Sequence, residues 1–170
     1  MVGREDDGVW VTLKETIHAA PADVASCIAT AAGFCRWLAV ACEFVASDSE
    51  GGAGSTLSIS WDRSWEHSTD LKVLDHDTDL VLDGRARIRF EWYPNPLDDT
   101  PTPVELVVTP IAEQGDGTAG ARVILRHGPF ANDADALIFM ADSAESWRWY
   151  LCNLRSVLET KHDMRAIRPL

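Results

Sequence analysis

Three side chains of this sequence could move protons, and each is predicted to lie beside apolar positions. Glu15 falls on the apolar face of a predicted strand, His67 precedes a second strand, and His127 ends a third. Buried carboxylates and imidazoles are costly unless they are paired, so these positions need an explanation. A Glu–His pair beside a pocket could perform acid–base chemistry near neutral pH. The alternative is that they mark strand ends emerging into water, with His127 bonded to backbone in its turn.

Motifs for other chemistry are missing from the sequence. It contains no GxSxG nucleophile elbow and no HExxH zinc motif. No CxxC pair occurs, and the cysteines are interpreted as reduced, buried small hydrophobic residues, namely Cys27, Cys35, Cys42 and Cys152. The histidines have no metal-ligand spacing. We therefore predict no metal site and no cofactor, and we treat Glu15, His67 and His127 as candidates only.

The segment 144–160, AESWRWYLCNLRSVLET, carries its aromatic residues at helical spacing. Apolar residues recur at i, i+3, i+4 and i+7 in one broad stripe, made of Trp147, Tyr150, Leu151, Leu154, Val157 and Leu158. Trp149 lies roughly 200° around the helix from Trp147. We expect Trp147 to be buried and Trp149 to be the more exposed. So wide a stripe needs an apolar surface to pack against.

Changes of hydrophobic period along the chain predict the elements that supply this surface. Residues 9–18 alternate as a strand, Pro21 begins a short helix, and residues 34–39 form a second one after Gly33. Six more strands follow, at 40–46, 55–61, 67–75, 86–92, 104–111 and 121–127. The Gly-rich segment 47–54 is predicted to be a hairpin turn and 94–103 a long loop.

A helix from about Asp133 to Lys161 closes the predicted order of elements. Strands joined by hairpins and followed by a helix predict an α+β fold with a curved, seven-stranded antiparallel sheet. The last helix is the only predicted element long enough to cover that sheet. We expect one domain over residues 1–170, with a flexible N-terminus at 1–8 and a tail at 163–170.

Four segments, taken in order, resemble the START-like (SRPBCC) superfamily and, within it, homologues of the activator of heat-shock-protein ATPase. They are APADVASCIATAAGFCRWLA (20–39), GG (51–52), GARVILRHGPF (120–130) and ESWRWYLCNLRSVLE (145–159). The resemblance implies the helix-grip fold, with a cavity between the last helix and the sheet. Residues 58–92 depart from the usual pattern, being more hydrophobic and irregular than a short strand pair.

Strand alternation and the helix stripe predict which side chains would line such a cavity. A fully packed core is the alternative at the same positions. Aromatic rings at these positions could form the walls of a cavity for a planar or acyl ligand. The predicted ligand-binding residues are Trp37, Trp61, Trp65, Phe90, Trp92, Leu106, Val123, Leu125, Phe139, Met140, Trp147 and Leu151.

Composition limits the partners of this chain. Its 27 acidic and 15 basic residues give a formal charge of −12, which disfavours nucleic acids and anionic membranes as partners. No signal peptide or membrane-spanning segment is predicted, so we expect a cytoplasmic monomer or homodimer. The principal hypothesis is a non-catalytic binder of a small hydrophobic ligand. The alternatives are a chaperone-activator-like protein that binds a protein partner, and a cyclase- or aromatase-like enzyme that uses the Glu and His candidates.

Overall fold

The computed structural model describes residues 1–5, 8–45, 54–94, 101–111 and 119–167. Within these ranges, antiparallel strands form one open sheet in the spatial order β1-β2-β8-β7-β6-β5-β4-β3. The strands are β1 (Val2–Glu5), β2 (Gly8–Ile17), β3 (Ala41–Val45), β4 (Thr56–Ser60), β5 (Ser68–Asp77), β6 (Ala86–Pro94), β7 (Pro101–Ile111) and β8 (Gly120–Phe130). The helices are α1 (Pro21–Ala29), α2 (Ala31–Cys35) and α3 (Ala134–Thr160). The predicted α+β class and antiparallel sheet are confirmed.

The described sheet has eight strands, one more than the seven predicted. The additional strand, β1, lies within the segment 1–8 that was expected to be flexible, and pairs with β2 from Val2 opposite Val11 to Glu5 opposite Gly8. The terminal ammonium of Met1 also donates to the Thr12 carbonyl oxygen at 2.8 Å. Hydrophobic period did not predict β1, an edge strand whose Val2 is 57% exposed.

The second helix begins earlier than predicted, at Ala31 rather than at residue 34. Thr30 caps it, since its Oγ1 accepts a hydrogen bond from the Gly33 backbone N–H at 2.9 Å. Gly33 was interpreted as a helix breaker, but it lies inside α2 where the two short helices meet. A Cβ at this position would lie 2.1 Å from the Ser26 carbonyl oxygen, so only glycine allows the close approach.

The core lies between one face of the sheet and the three helices. Alternate residues of β2, β6, β7 and β8 are buried, as the period of two predicted. Helix α3 packs over β2 and β8, while α1 packs over β6 and β7. Asp133 caps α3 by accepting from the Ala136 N–H at 2.9 Å, and Lys161 ends the helix with a φ of 60°. These bounds match the predicted helix closely.

The described part of the C-terminal tail is anchored to the helices. Arg165 donates to the carbonyl oxygens of Ala39 at 2.6 Å and Cys35 at 2.9 Å. On α3, Asn153 is buried, and its Oδ1 accepts from the Met164 N–H at 2.7 Å. These bonds tie the end of the chain to the loop after α2, so residues 163–167 stabilise the closing helix.

Three predicted features depend partly on residues outside the described ranges. The hairpin at 47–54 lies there except for Gly54, although β3 and β4 do pair antiparallel. The loop predicted at 94–103 is shorter in the structure, because β6 extends to Pro94 and β7 begins at Pro101. Its residues 95–100 lie outside the described ranges. No helix within the described residues is long and apolar enough to cross a membrane.

Candidate functional site

An open cleft runs along one side of α3, where the helix faces the end of β6 and the loop between β4 and β5. Its volume is about 280 Å³, and Trp61, Trp92, Phe139, Asp142, Ser143, Ser146, Trp147 and Tyr150 line it. A wider part of about 480 Å³ continues past Trp61 and Tyr150 to Asp62 and His67. Volumes of this size are typical of sites for small ligands. We call the two parts together the aromatic cleft.

Aromatic rings form a continuous row along this cleft. Trp61 lies nearly parallel to Tyr150, with ring centroids 6.0 Å apart and an interplanar angle of 21°. Tyr150 contacts Trp147 edge to face at 6.1 Å, and Trp147 contacts Trp92 at 4.7 Å. Trp147 is buried, whereas Trp61, Trp92 and Tyr150 are each only partly buried. The row therefore has a core side held by packing and an open side that a ligand could contact.

The Asp62 carboxylate shapes the loop between β4 and β5. It accepts hydrogen bonds from the Ser64 hydroxyl at 2.7 Å and from the backbone N–H groups of Glu66 at 3.2 Å and His67 at 2.8 Å. The Nδ1 atom of His67 lies 2.9 Å from Asp62. These bonds, with that from Ser64 the strongest, hold the pKa of Asp62 well below its usual range. The loop is thereby closed on itself and keeps Trp61 at the edge of the cleft.

Three polar residues of α3 complete the wall opposite this loop. Asp142 and Ser146 are exposed, and Ser143 is buried between them and the core. Asp142 forms no ion pair with another described residue, and no lysine or arginine is among the described residues that line the cleft. The wall therefore presents an unpaired carboxylate beside aromatic rings.

A buried hydrogen-bond chain lies beneath the cleft. Trp147 Nε1 donates to Nδ1 of His127 at 3.3 Å, and Nε2 of His127 lies 2.8 Å from Thr102 Oγ1. An indole N–H can only donate, so Nδ1 accepts and the ring proton resides on Nε2. Burial lowers the pKa of His127 from its usual value near 6.5 to about 3. This imidazole is therefore neutral at physiological pH and fixes the ring of Trp147.

Comparison with known proteins finds matches among solved structures only. No protein-family model matches this chain, and no curated protein sequence matches it. The Aha1 dimer from Colwellia psychrerythraea is 18% identical, with a TM-score of 0.59, over 89% of this chain and 96% of that one. Protein SSP2350 from Staphylococcus saprophyticus is 12% identical, with a TM-score of 0.63, over 92% of this chain and 96% of that one.

A third similar structure is the di-domain ARO/CYC protein BexL from the BE-7585A biosynthetic pathway. It is 18% identical to this chain, with a TM-score of 0.62, over 88% of this chain and 46% of BexL. This chain thus spans about half of the di-domain protein. The fold is the helix-grip fold. The fold predicted from the four resembling segments is confirmed.

This fold does not bring the three catalytic candidates together. Glu15 is nearly buried on β2 and is held by two arginines of α3, with Arg148 Nη1 at 3.2 Å and Arg155 Nη1 at 2.7 Å. The His67 side chain is 77% exposed, rather than facing inward as predicted. His127 is completely buried beneath the cleft. The Glu–His pair considered from the sequence does not form: Glu15 contacts two arginines, His67 contacts Asp62 and His127 contacts Trp147 and Thr102.

Glu15 gives a first testable prediction, that it stabilises the packing of α3 against β2. Glu15→Gln removes the charge that both arginines contact, so we expect a loss of about 1–2 kcal/mol in the free energy of unfolding, measured with urea. Glu159→Gln is the control, since its arginine contact is at the 4.0 Å limit and a glutamine oxygen can still accept the hydrogen bond from the His18 N–H. If Glu15→Gln costs no more than the control, the two ion pairs contribute nothing measurable.

The twelve predicted ligand-binding residues divide between the cleft and the core. Those that line the cleft are Trp61, Trp92, Phe139 and Trp147. Those packed in the buried cluster between helices and sheet are Trp37, Phe90, Leu106, Val123, Leu125, Met140 and Leu151. Trp65 lies in the β4–β5 loop with a φ of 63° and is not among the described lining residues. These seven side chains are buried among one another and their neighbours.

Five cleft residues were missing from the predicted set. Tyr150 lies three residues from Trp147 on the same helical stripe, so the periodicity contained that signal. The others, Asp62, Asp142, Ser143 and Ser146, are polar and were not considered as lining residues. Among the described residues, no group of three or more His, Cys, Asp or Glu side chains could hold a metal ion.

Proposed function

We propose that this protein binds a small hydrophobic ligand with a planar ring system in the aromatic cleft. The observation that carries the proposal is the row of partly exposed rings of Trp61, Tyr150 and Trp92, which are held in place from behind by buried Trp147. Aromatic side chains of this size usually bury most of their area. Exposing several of them along one concave surface leaves apolar area that a ligand would cover.

The cleft has the features of a preformed site. Phe139 and Trp147 come from α3 and Trp92 from β6, so regular elements position most of the wall. The Asp62 hydrogen bonds hold the third side, the loop that carries Trp61. A ligand that enters would find its contact surfaces already ordered and would lose little free energy in organising them.

Acid–base catalysis has weaker support than binding. Asp62 and His67 do form a carboxylate–imidazole pair at the cleft, but with His67 77% exposed, water competes for every contact that a substrate would make. Glu15 is engaged by arginines away from the cleft, and His127 is buried as a neutral hydrogen-bonding partner of Trp147. We therefore propose a binding protein rather than an enzyme.

Titration with N-phenyl-1-naphthylamine, an uncharged dye that fluoresces in apolar surroundings, tests the proposal. We expect saturable fluorescence with the wild-type protein and roughly two- to tenfold weaker binding by Trp61→Ala, since one stacked ring contributes about 0.5–1.5 kcal/mol. The fluorescence titration gives the dissociation constant of each variant directly.

Trp10→Ala provides the matched control, because it removes a tryptophan that packs against Arg126, 4.6 Å from the ring centroid, on β2 away from the cleft. We expect this variant to bind the dye as the wild type does. The proposal would be wrong if the wild type shows no saturable binding, or if Trp61→Ala and Trp10→Ala bind the dye equally well.

A further inference from the structure

The aromatic cleft combines ring faces with negative charge. Two carboxylates, Asp62 and Asp142, belong to its wall, and no lysine or arginine is among the described lining residues. Arg63 belongs to the loop between β4 and β5 but is not among the described residues that line the cleft. The arginines of α3 closest to Trp147 in sequence, Arg148 and Arg155, are directed to Glu15 instead. No described lysine or arginine of the cleft is therefore placed to meet an anionic ligand, and the His67 imidazole is paired with Asp62.

The two carboxylates differ in how far they are already engaged. Asp62 accepts several hydrogen bonds from its own loop, which use its oxygens to keep the loop closed. Asp142 forms no ion pair or hydrogen bond with another described side chain and is exposed at the mouth of the cleft. Of the two, Asp142 is the one with oxygens available to a ligand.

We propose that the ligand of the aromatic cleft is an aromatic amine that carries a positive charge, with its ammonium group at Asp142 and its ring against the aromatic row. This inference rests on the proposed function and specifies the chemical class of the ligand. Ammonium groups are attracted both to carboxylates and to the faces of Trp and Tyr rings. The formal charge of −12 on the whole chain adds long-range attraction for a cation.

The polar residues beside Asp142 agree with an amine at this end of the cleft. Ser143 and Ser146 place hydroxyl groups on the same wall, one buried and one exposed. A hydroxyl oxygen accepts hydrogen bonds, and an ammonium group has three N–H donors to satisfy. A fatty acid or an acyl phosphate would instead bring its negative charge close to Asp142 and be repelled.

Three naphthalene compounds that share one ring system test this directly: 2-naphthylmethylamine, 2-naphthylmethanol and 2-naphthoate. Calorimetric titration of the wild-type protein at neutral pH should show the amine binding about tenfold tighter than the alcohol, and the carboxylate binding weakest. The preference for the amine over the alcohol should shrink as salt is added, because Asp142 is exposed.

Asp142→Asn should bring the dissociation constant of the amine close to that of the alcohol while leaving the alcohol's own constant unchanged. Glu145→Gln removes the same charge from an exposed position on α3 outside the cleft, and should keep most of the preference for the amine. Far-UV circular dichroism of both variants confirms that α3 is intact before the constants are compared.

The results separate the two proposals. If none of the three compounds binds, the cleft is not a ligand site and the proposed function fails with it. If the alcohol binds as tightly as the amine, or if Asp142→Asn retains the preference, the cleft binds hydrophobic compounds but the cationic class is wrong. Equal losses in Asp142→Asn and Glu145→Gln would also overturn the inference, because the effect would then come from the overall charge.

Discussion

Trp147→Ala is expected to lower the free energy of unfolding by about 3–5 kcal/mol, the range for a large aromatic side chain removed from a core. Trp147 is 2% exposed and contacts the rings of Trp92, Tyr150 and His127. Its removal leaves a cavity that α3 and β6 cannot both move to fill. It also leaves Nδ1 of His127 without its donor, and a buried unsatisfied acceptor adds to the loss. Urea denaturation measures the change.

Trp149 provides the comparison, since it is only partly buried and lies on the same helix two residues away. Trp149→Ala should cost about 1 kcal/mol, clearly less than Trp147→Ala. Trp147→Phe should fall between the two, because it keeps much of the ring packing but loses the indole N–H. Equal losses for the two alanine variants would mean that α3 does not pack against the sheet through the face described.

Acidification is expected to destabilise the protein through His127, in the range between pH 6.5 and pH 3. Above pH 6.5 the imidazole is neutral in both the folded and the unfolded chain, so it contributes no pH dependence. Below that value the unfolded chain takes up a proton, whereas burial holds the pKa of His127 in the folded chain near 3. The stability due to this group is therefore lost progressively as the pH falls, by about 3 kcal/mol at pH 4.

The variant His127→Gln isolates this contribution. Its free energy of unfolding should be lower than that of the wild type at pH 7, because glutamine replaces the imidazole between Trp147 and Thr102 imperfectly. Between pH 7 and pH 4, however, it should lose about 3 kcal/mol less than the wild type. His76→Gln should flatten the profile less, since burial also lowers the pKa of His76 but that ring is only half-buried. If the free energy of unfolding falls equally with pH in the wild type and in His127→Gln, the acid sensitivity does not come from His127.

Hydrophobic period was enough to predict most of the fold. Strands β2 and β5 to β8 alternate clearly because one of their faces is buried, and α3 carries an apolar stripe for the same reason. The burial of Trp147 and the greater exposure of Trp149 followed from their positions on that stripe, and both are confirmed. Where a segment has no regular hydrophobic period, its secondary structure was not predicted correctly. Val2 of the edge strand β1 is exposed, and the start of α2 depends on how closely Gly33 approaches Ser26.

The candidate site could be predicted only in part. The sequence identified the aromatic residues and the inward positions of Phe90, Leu106 and Leu125. It did not show which of these side chains would be buried in the core and which would line an open cleft. Periodicity assigns a residue to a face, whereas the depth of that face depends on elements that are distant in the chain. Trp61 and Tyr150 are 89 residues apart in sequence, yet their rings lie 6.0 Å apart.

The sequence by itself therefore determined the class of fold, the closing helix and the apolar face on which the predicted ligand-binding residues lie. Only the tertiary structure decided which polar residues reach that face. In the folded chain Glu15 contacts the arginines of α3, and His67 is exposed to solvent. His127 is buried under Trp147, and Asp142 lies beside the open aromatic row. The reason is physical: local pattern sets the direction of a side chain, but its burial, charge partners and pKa depend on whatever other elements are packed against it.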